Sequence, residues 1–175
     1  MDIAKELGKS RNMVLVMGKE YYKSLLKLNR ELSEANAGIC YVTFAKPAHS
    51  LLEEFGKNGI KTGNFHFIDC IGRQANTCKD GEGCSCISAP DEMREIGGVI
   101  MDVLDSGKYS LLIFDSISSM LLYNDPLKTV RFLNNLMIVL EEKRTKGLFR
   151  IMKNDVDKPP ITEIVLFADR VEKYE

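Results

Sequence analysis

Three groups of residues have types and spacing that could do chemistry. Asp115-Ser116 follows the apolar run 111–114, Lys23-Ser24 lies a few residues beyond the apolar run 13–17, and Cys70, Cys78, Cys84 and Cys86 crowd into one stretch. A carboxylate just beyond a buried strand can hold Mg²⁺ through water beside phosphate oxygens. The same carboxylate can also do no more than accept backbone N–H groups at the strand end. A lysine and a hydroxyl near a strand tip can grip phosphate, or can belong to the solvated face of a helix with Lys19 and Lys27. Four thiolates suit a tetrahedral zinc site, with Asp80 and Glu82 offering oxygen in the same loop or serving only to keep it soluble.

The elements that must position these groups follow from periodicity. Strand-length apolar runs alternate with longer stretches at helical spacing, the pattern of repeated β-α units around a parallel sheet. Residues 13–17 form the first expected strand, and Leu25, Leu28 and Leu32 then recur on one helical face up to Asn36-Ala37-Gly38. Residues 39–44 form a second strand, and Pro47 opens a helix carrying Leu51, Leu52 and Phe55. Residues 65–69 read as a third strand, followed by a polar loop over 72–88 that holds the cysteines. Ser88 and Asp91 around Pro90 form a capping box for a helix that stops at Gly107. Residues 111–115 make the most apolar strand, fit for the sheet centre. Asp125-Pro126 starts a long helix whose Leu127, Val130, Leu133, Met137 and Leu140 share a face. A strand from 147, a turn at Pro159-Pro160, a short helix with Ile164 and Phe167, and a strand near Arg170-Val171-Glu172 complete the chain.

Ligands of open parallel sheets sit beyond the carboxyl ends of the strands, so residues at those ends decide the chemistry. The apolar strand closed by Asp115-Ser116 looks like a Walker B element. Together with Tyr41-Val42-Thr43-Phe44, Phe114-Asp115-Ser116-Ile117-Ser118 and Ala168-Asp169-Arg170-Val171, in order and approximate spacing, it resembles the KaiC-like branch of the RecA-type P-loop ATPases. The resemblance covers most of the chain from Met13 onward. It implies one α/β domain over 1–175, a three-layer αβα sandwich with a mainly parallel central sheet, carrying a cysteine-containing insertion loop over 71–88. It also implies a nucleotide held between subunits of a ring or dimer.

The departures from that pattern bear on activity. With Lys23-Ser24 on the Walker A Lys-Ser, the motif's two glycine positions fall on Met17 and Tyr22, and Glu20 adds negative charge. Side chains then stand where bare backbone amides should surround phosphate. The pair of glutamates that the family pattern places after its second strand reads Ala45-Lys46 here. Alanine cannot accept a proton and lysine has the wrong charge for a general base. The expectation is a pseudoenzyme with no catalytic residues and no nucleotide cofactor. Lys23, Ser24, Asp115 and Ser116 are the groups that would contact ATP and Mg²⁺ if a nucleotide bound.

The spacing of Cys78, Cys84 and Cys86, with Cys70 upstream, is not that of paired C-x-x-C knuckles. Zinc binding, thiol-linked redox pairing and inert loop thiols all remain open for it. Five cysteines is an odd number, and a reducing compartment favours thiols or metal ligands over a disulfide framework. Cys40, within a strand, reads as core. His49 and His66 are too far apart in sequence to suggest a dyad, and His66 reads as a packing residue.

The near-neutral formal charge of -1 gives no global basic field for nucleic acid or an anionic membrane. No apolar run is long enough to cross a bilayer, and residues 1–7 interleave charge with apolar residues unlike a signal peptide, which points to the cytoplasm. The leading expectation is therefore a non-catalytic regulatory or protein-interaction module whose partners are other proteins or further copies of itself. Two other readings stay open: an ATPase with a non-standard phosphate loop built from Lys19, Lys23, Ser24 and Asp115, and a metal- or thiol-responsive module worked by the loop from Cys70 to Cys86.

Overall fold

The computed structural model of the protein describes residues 2–18 and 20–174. Its centre is a 7-stranded sheet of parallel pairs. The strands are β1 (Asn12–Met17), β2 (Ile39–Thr43), β3 (Phe65–Asp69), β4 (Cys84–Cys86), β5 (Leu111–Asp115), β6 (Lys146–Met152) and β7 (Arg170–Tyr174), in spatial order β4-β3-β2-β5-β6-β1-β7. The helices are α1 (Ile3–Leu7), α2 (Tyr21–Ala35), α3 (Ala48–Lys57), α4 (Met93–Asp105), α5 (Ile117–Met120), α6 (Pro126–Glu142) and α7 (Pro159–Val165).

The two-residue period of each strand divides the core. Met13, Leu15 and Met17 of β1 face the layer of α1, α2 and α3, where Leu28, Leu32, Leu51 and Phe55 pack against them. Val14 and Val16 face the layer of α4, α5, α6 and α7, with Ile96, Ile100, Leu133, Met137 and Ile164. Because both faces are covered, β1, β2 and β5 are buried along their whole length, which is why they read as continuous apolar runs. This is the expected α/β sandwich.

Local chemistry corrects several expected boundaries. The stretch 72–88 is not wholly a loop, since Cys84–Cys86 adds an edge strand to β3. Asp91 does not cap α4: the Ser88 amide and hydroxyl both turn to the Glu95 carboxylate, and the helix begins only at Met93. Leu127 leaves the apolar face of α6 and is 54% exposed, because it sits in the first turn beyond the edge of the core. The Asp125 side chain caps that helix as expected, accepting from the Lys128 amide at 2.9 Å.

Order in the sheet matters more than order in sequence. Placing β6 between β5 and β1 puts Arg150 beside Leu15 on one side and next to the tip of β5 on the other.

Candidate functional site at the tip of the fifth strand

Asp115 ends β5 on the α2 side of the sheet and is 1% exposed. A buried carboxylate must be paired and hydrogen-bonded to remain ionised. Its partners come from three other elements. The Tyr41 hydroxyl on β2 donates to Oδ2 at 2.6 Å, and the Tyr21 hydroxyl at the start of α2 donates to Oδ1. The Arg150 guanidinium on β6 lies 3.3 Å from Oδ2, is wholly buried, and donates to Tyr41 Oη at 2.8 Å and to Asn29 Oδ1 at 2.6 Å. The guanidinium carbon also stands 5.5 Å from the centre of the Tyr41 ring.

The electrostatics follow from burial and proximity. Burial drives both phenols well above the ordinary tyrosine range, and the neighbouring Asp115 charge pushes them the same way, so both act as donors. Burial pulls the Arg150 guanidinium down, but Tyr41, Asp115 and Tyr21 reverse that pull and leave it raised. The result is a closed cluster in which one cation, one anion and two phenols satisfy one another. Arg150 Nε and Asn29 Nδ2 are the buried donors of the cluster left without a protein partner.

The connection between β1 and α2 is short, with only Gly18, Lys19 and Glu20 between Met17 and Tyr21. Lys19 lies outside the described residues. The Gly18 amide donates to the Tyr174 carbonyl of β7 at 3.1 Å, and the Ser24 amide donates to the Glu20 carbonyl within the helix. Both amides are therefore committed to protein acceptors rather than turned toward an anion. The cleft beside this turn, lined by Met17, Gly18, Met152, Lys153 and Asn154, is about 220 Å³. Ligand pockets for drug-sized molecules run to roughly 300–1,000 Å³.

The sequence-expected site residues separate in space. Lys23 is exposed on the outer face of α2, and Ser24 is only half-buried there. Ser116 is buried, and its hydroxyl accepts from the Ser119 amide at 3.1 Å to cap α5. Tyr22, which the motif alignment places at the obstructing position, is 43% exposed with Lys46 Nζ 4.4 Å from its ring centre. It is Tyr21, one residue earlier, that enters the corner. Lys46, at the position of the missing glutamate pair, is tied to Glu54 at 2.7 Å. Asp169 lies at the other end of the sheet, where its carboxylate accepts from the amides of Arg11 and Asn12 at 2.8 and 2.9 Å and ties β7 to β1.

No protein-family model matches the chain, and no curated protein sequence is similar to it. Solved structures do match. A KaiC-like protein from Pyrococcus horikoshii superposes with a TM-score of 0.64 at 14% identity, over 94% of this chain and 72% of that one. The fold is that of the KaiC-like, RecA-type proteins. A second P. horikoshii protein, uncharacterized and solved in complex with an unknown peptide, gives a TM-score of 0.68 at 16% identity over 98% of this chain and 81% of that one. The flagellar accessory protein FlaH from Methanocaldococcus jannaschii gives 0.52 at 12% identity over 99% and 76%. At such identities the KaiC-like likeness is one of architecture, and the chemistry must be argued from this chain's own residues.

Within the KaiC-like sheet, sequence reasoning missed Arg150, Tyr41 and Asn29. A signal was available: Arg150 interrupts Leu148-Phe149 and Ile151-Met152 in a strand flanked by apolar residues, and a charge at such a position needs a buried partner.

Three of the cysteines, Cys78, Cys84 and Cys86, gather at the β4 edge. Cys78 and Cys86 form a disulfide, where thiols or metal ligands were expected from the reducing compartment. Cys84 Sγ lies 3.9 Å from Cys78 Sγ, and the three sulfurs are all within 4.8 Å of one another. Cys70 is not with them; it is fully buried in the core on the α4 side. Burial pushes the Cys84 thiol up to about 11, with Asp69 and Asp80 adding to the effect. Asp80 accepts from the Cys86 amide at 2.8 Å and from Arg73, and so braces the loop. His66 bonds Ser85 Oγ at 2.8 Å and packs edge-on against Tyr109, a packing role.

Proposed function

We propose that this chain is a non-catalytic RecA/KaiC-like domain that works as a regulatory or protein-interaction module. One observation carries the reading: the carboxylate at the Walker B position is taken up by Arg150, Tyr41 and Tyr21. Mg²⁺ beside a nucleotide would have to displace a phenol from the first residue of α2 and compete with a fixed guanidinium. The short turn and its committed amides support the same reading, as does the salt bridge at Lys46 where a general base would be needed.

Surface composition supports a protein partner, another protein or a second copy of the chain. Leu122 (80% exposed), Tyr123 and Leu127 stand out around the start of α6, and Leu166 and Phe167 follow α7. Apolar surface of this kind is what partners cover. The neighbour of similar fold that was solved with an unknown peptide is consistent with such use of the architecture. None of the described helices is long and apolar enough to cross a membrane.

Titration calorimetry with Mg-ATP tests the proposal. The expected outcome is no saturable heat at millimolar nucleotide. Magnesium-dependent binding that disappears in Asp115→Asn would instead establish the other reading, an ATPase with a non-standard phosphate loop.

A further inference from the structure

Cys78, Cys84 and Cys86 lie at the β4 edge of the sheet, and nothing in the Asp115 cluster depends on them. A structural disulfide accounts for two sulfurs and leaves the third without a role. Cys84 is half-buried and in contact with Cys78. Cys84 and Cys86 are two apart on one strand, so their side chains leave the same face. The tight turn before them brings Cys78 back over that face. Gly81 and Cys84 exchange both backbone hydrogen bonds, at 3.0 and 3.1 Å, and Gly83 takes a φ of 78° that side chains resist.

We propose that, when the Cys78–Cys86 bond is reduced, Cys78, Cys84 and Cys86 together hold one Zn²⁺ ion, with the fourth coordination position left to water. Zn–S bonds of about 2.3 Å in a tetrahedron set ligand sulfurs roughly 3.8 Å apart. The Cys84–Cys78 separation is already 3.9 Å, and the whole set lies within 4.8 Å, so opening the disulfide brings the triad toward that geometry without moving the strand. Thiolates select a soft or borderline cation over Mg²⁺ or Ca²⁺. Cys70 is excluded by its burial on the opposite side of the sheet.

A dithiol donor delivers two electrons and two protons to the Cys78–Cys86 bond and leaves as its own disulfide, giving two thiols on the protein. Zinc then displaces the thiol protons to solvent as each sulfur binds. The loop therefore has two mutually exclusive states, disulfide-closed and zinc-closed, and both keep β4 on the edge of β3.

The test uses the full chain stripped of metal, in two forms: oxidised, and reduced with a water-soluble phosphine that takes oxygen from water as it is converted to its oxide. Co²⁺ is the probe. The reduced protein is expected to develop thiolate-to-cobalt charge transfer and the visible bands of a tetrahedral site, saturating at one ion per chain and bleached by Zn²⁺. The oxidised protein should show neither. Cys70→Ser should bind as the wild type does. Cys84→Ser should lose at least about tenfold in affinity, since removal of outer-shell partners alone costs that much. Absence of a thiolate–cobalt band in reduced wild type would overturn the proposal, and so would unchanged binding by Cys84→Ser or its loss in Cys70→Ser. The oxidised-against-reduced comparison needs no variant, so a poorly folded substitution does not remove the test.

Discussion

Asp69 and Asp115 end the parallel strands β3 and β5, on either side of β2, and both are buried, yet they are held in opposite ways. Asp69 is satisfied by backbone. Its carboxylate accepts from the amides of Ala48, Ile71 and Gly72 at 2.8, 3.1 and 2.7 Å, and so pins the start of α3 and the turn after β3. Asp115 is satisfied by side chains from α2, β2 and β6. Backbone donors are present whatever the sequence, so a carboxylate like Asp69 is a strand-end fixture. A carboxylate held by an arginine and two tyrosines exists only because those residues stand at positions 21, 41 and 150. The Asp115 corner is thus a specified structure, and under the proposed function it fills the place that a metal-nucleotide would need.

The sharpest way to break the comparison is to remove the cation. Arg150→Met should destabilise the fold by about 3–5 kcal/mol, the cost of leaving a buried charge unpaired. Arg150→Met combined with Asp115→Leu should recover much of that loss, because the uncompensated charge goes with it. Urea denaturation of the four species of this cycle measures the coupling directly. A loss in the double variant equal to the sum of the two single losses would mean that the pair is not coupled.

Next in size are the hydroxyls. Tyr41→Phe and Tyr21→Phe each remove a hydrogen bond to a charged acceptor and should cost about 1.5–3 kcal/mol, with Tyr41→Phe the larger because it also abandons Arg150. At the backbone-held site the matching test is steric. A Cβ on Gly72 would lie 2.3 Å from Asp69 Oδ2 and 2.9 Å from Cys78 Cβ. Gly72→Ala should therefore cost about 1–3 kcal/mol by the same denaturation assay. The smallest effect is expected at Lys23→Ala, within about 0.5 kcal/mol, because its side chain stands in solvent. A larger loss there would mean that the Lys23 side chain makes a contact on which the fold depends.

What could be read from sequence, and what could not, follows the same division. The sheet was legible because β1, β2 and β5 are covered on both faces and show as unbroken apolar runs, and Asp125-Pro126 announces α6 through a local cap. The β4 strand was not, since three residues on an edge carry no periodicity and owe their conformation to β3. The tip of β5 was legible as a position, Asp115, but its partners were not: residues 94 and 74 positions away meet it only through the sheet order. The obstructing tyrosine was placed at residue 22 by motif alignment, whereas the short turn after Met17 starts the helix early and turns Tyr21 inward instead. The cysteines were legible as a group; which of them meet depended on the turn at Gly81–Gly83 and on the face of β3 from which Cys70 departs.

The most direct test of the filled corner is the thermal unfolding midpoint of the wild-type chain with and without saturating Mg-ATP. A ligand present at 100 times its Kd stabilises a native state by about 2.7 kcal/mol, enough to move the midpoint visibly. The same midpoint is expected in both conditions. A magnesium-dependent rise that is lost in Asp115→Asn would contradict it.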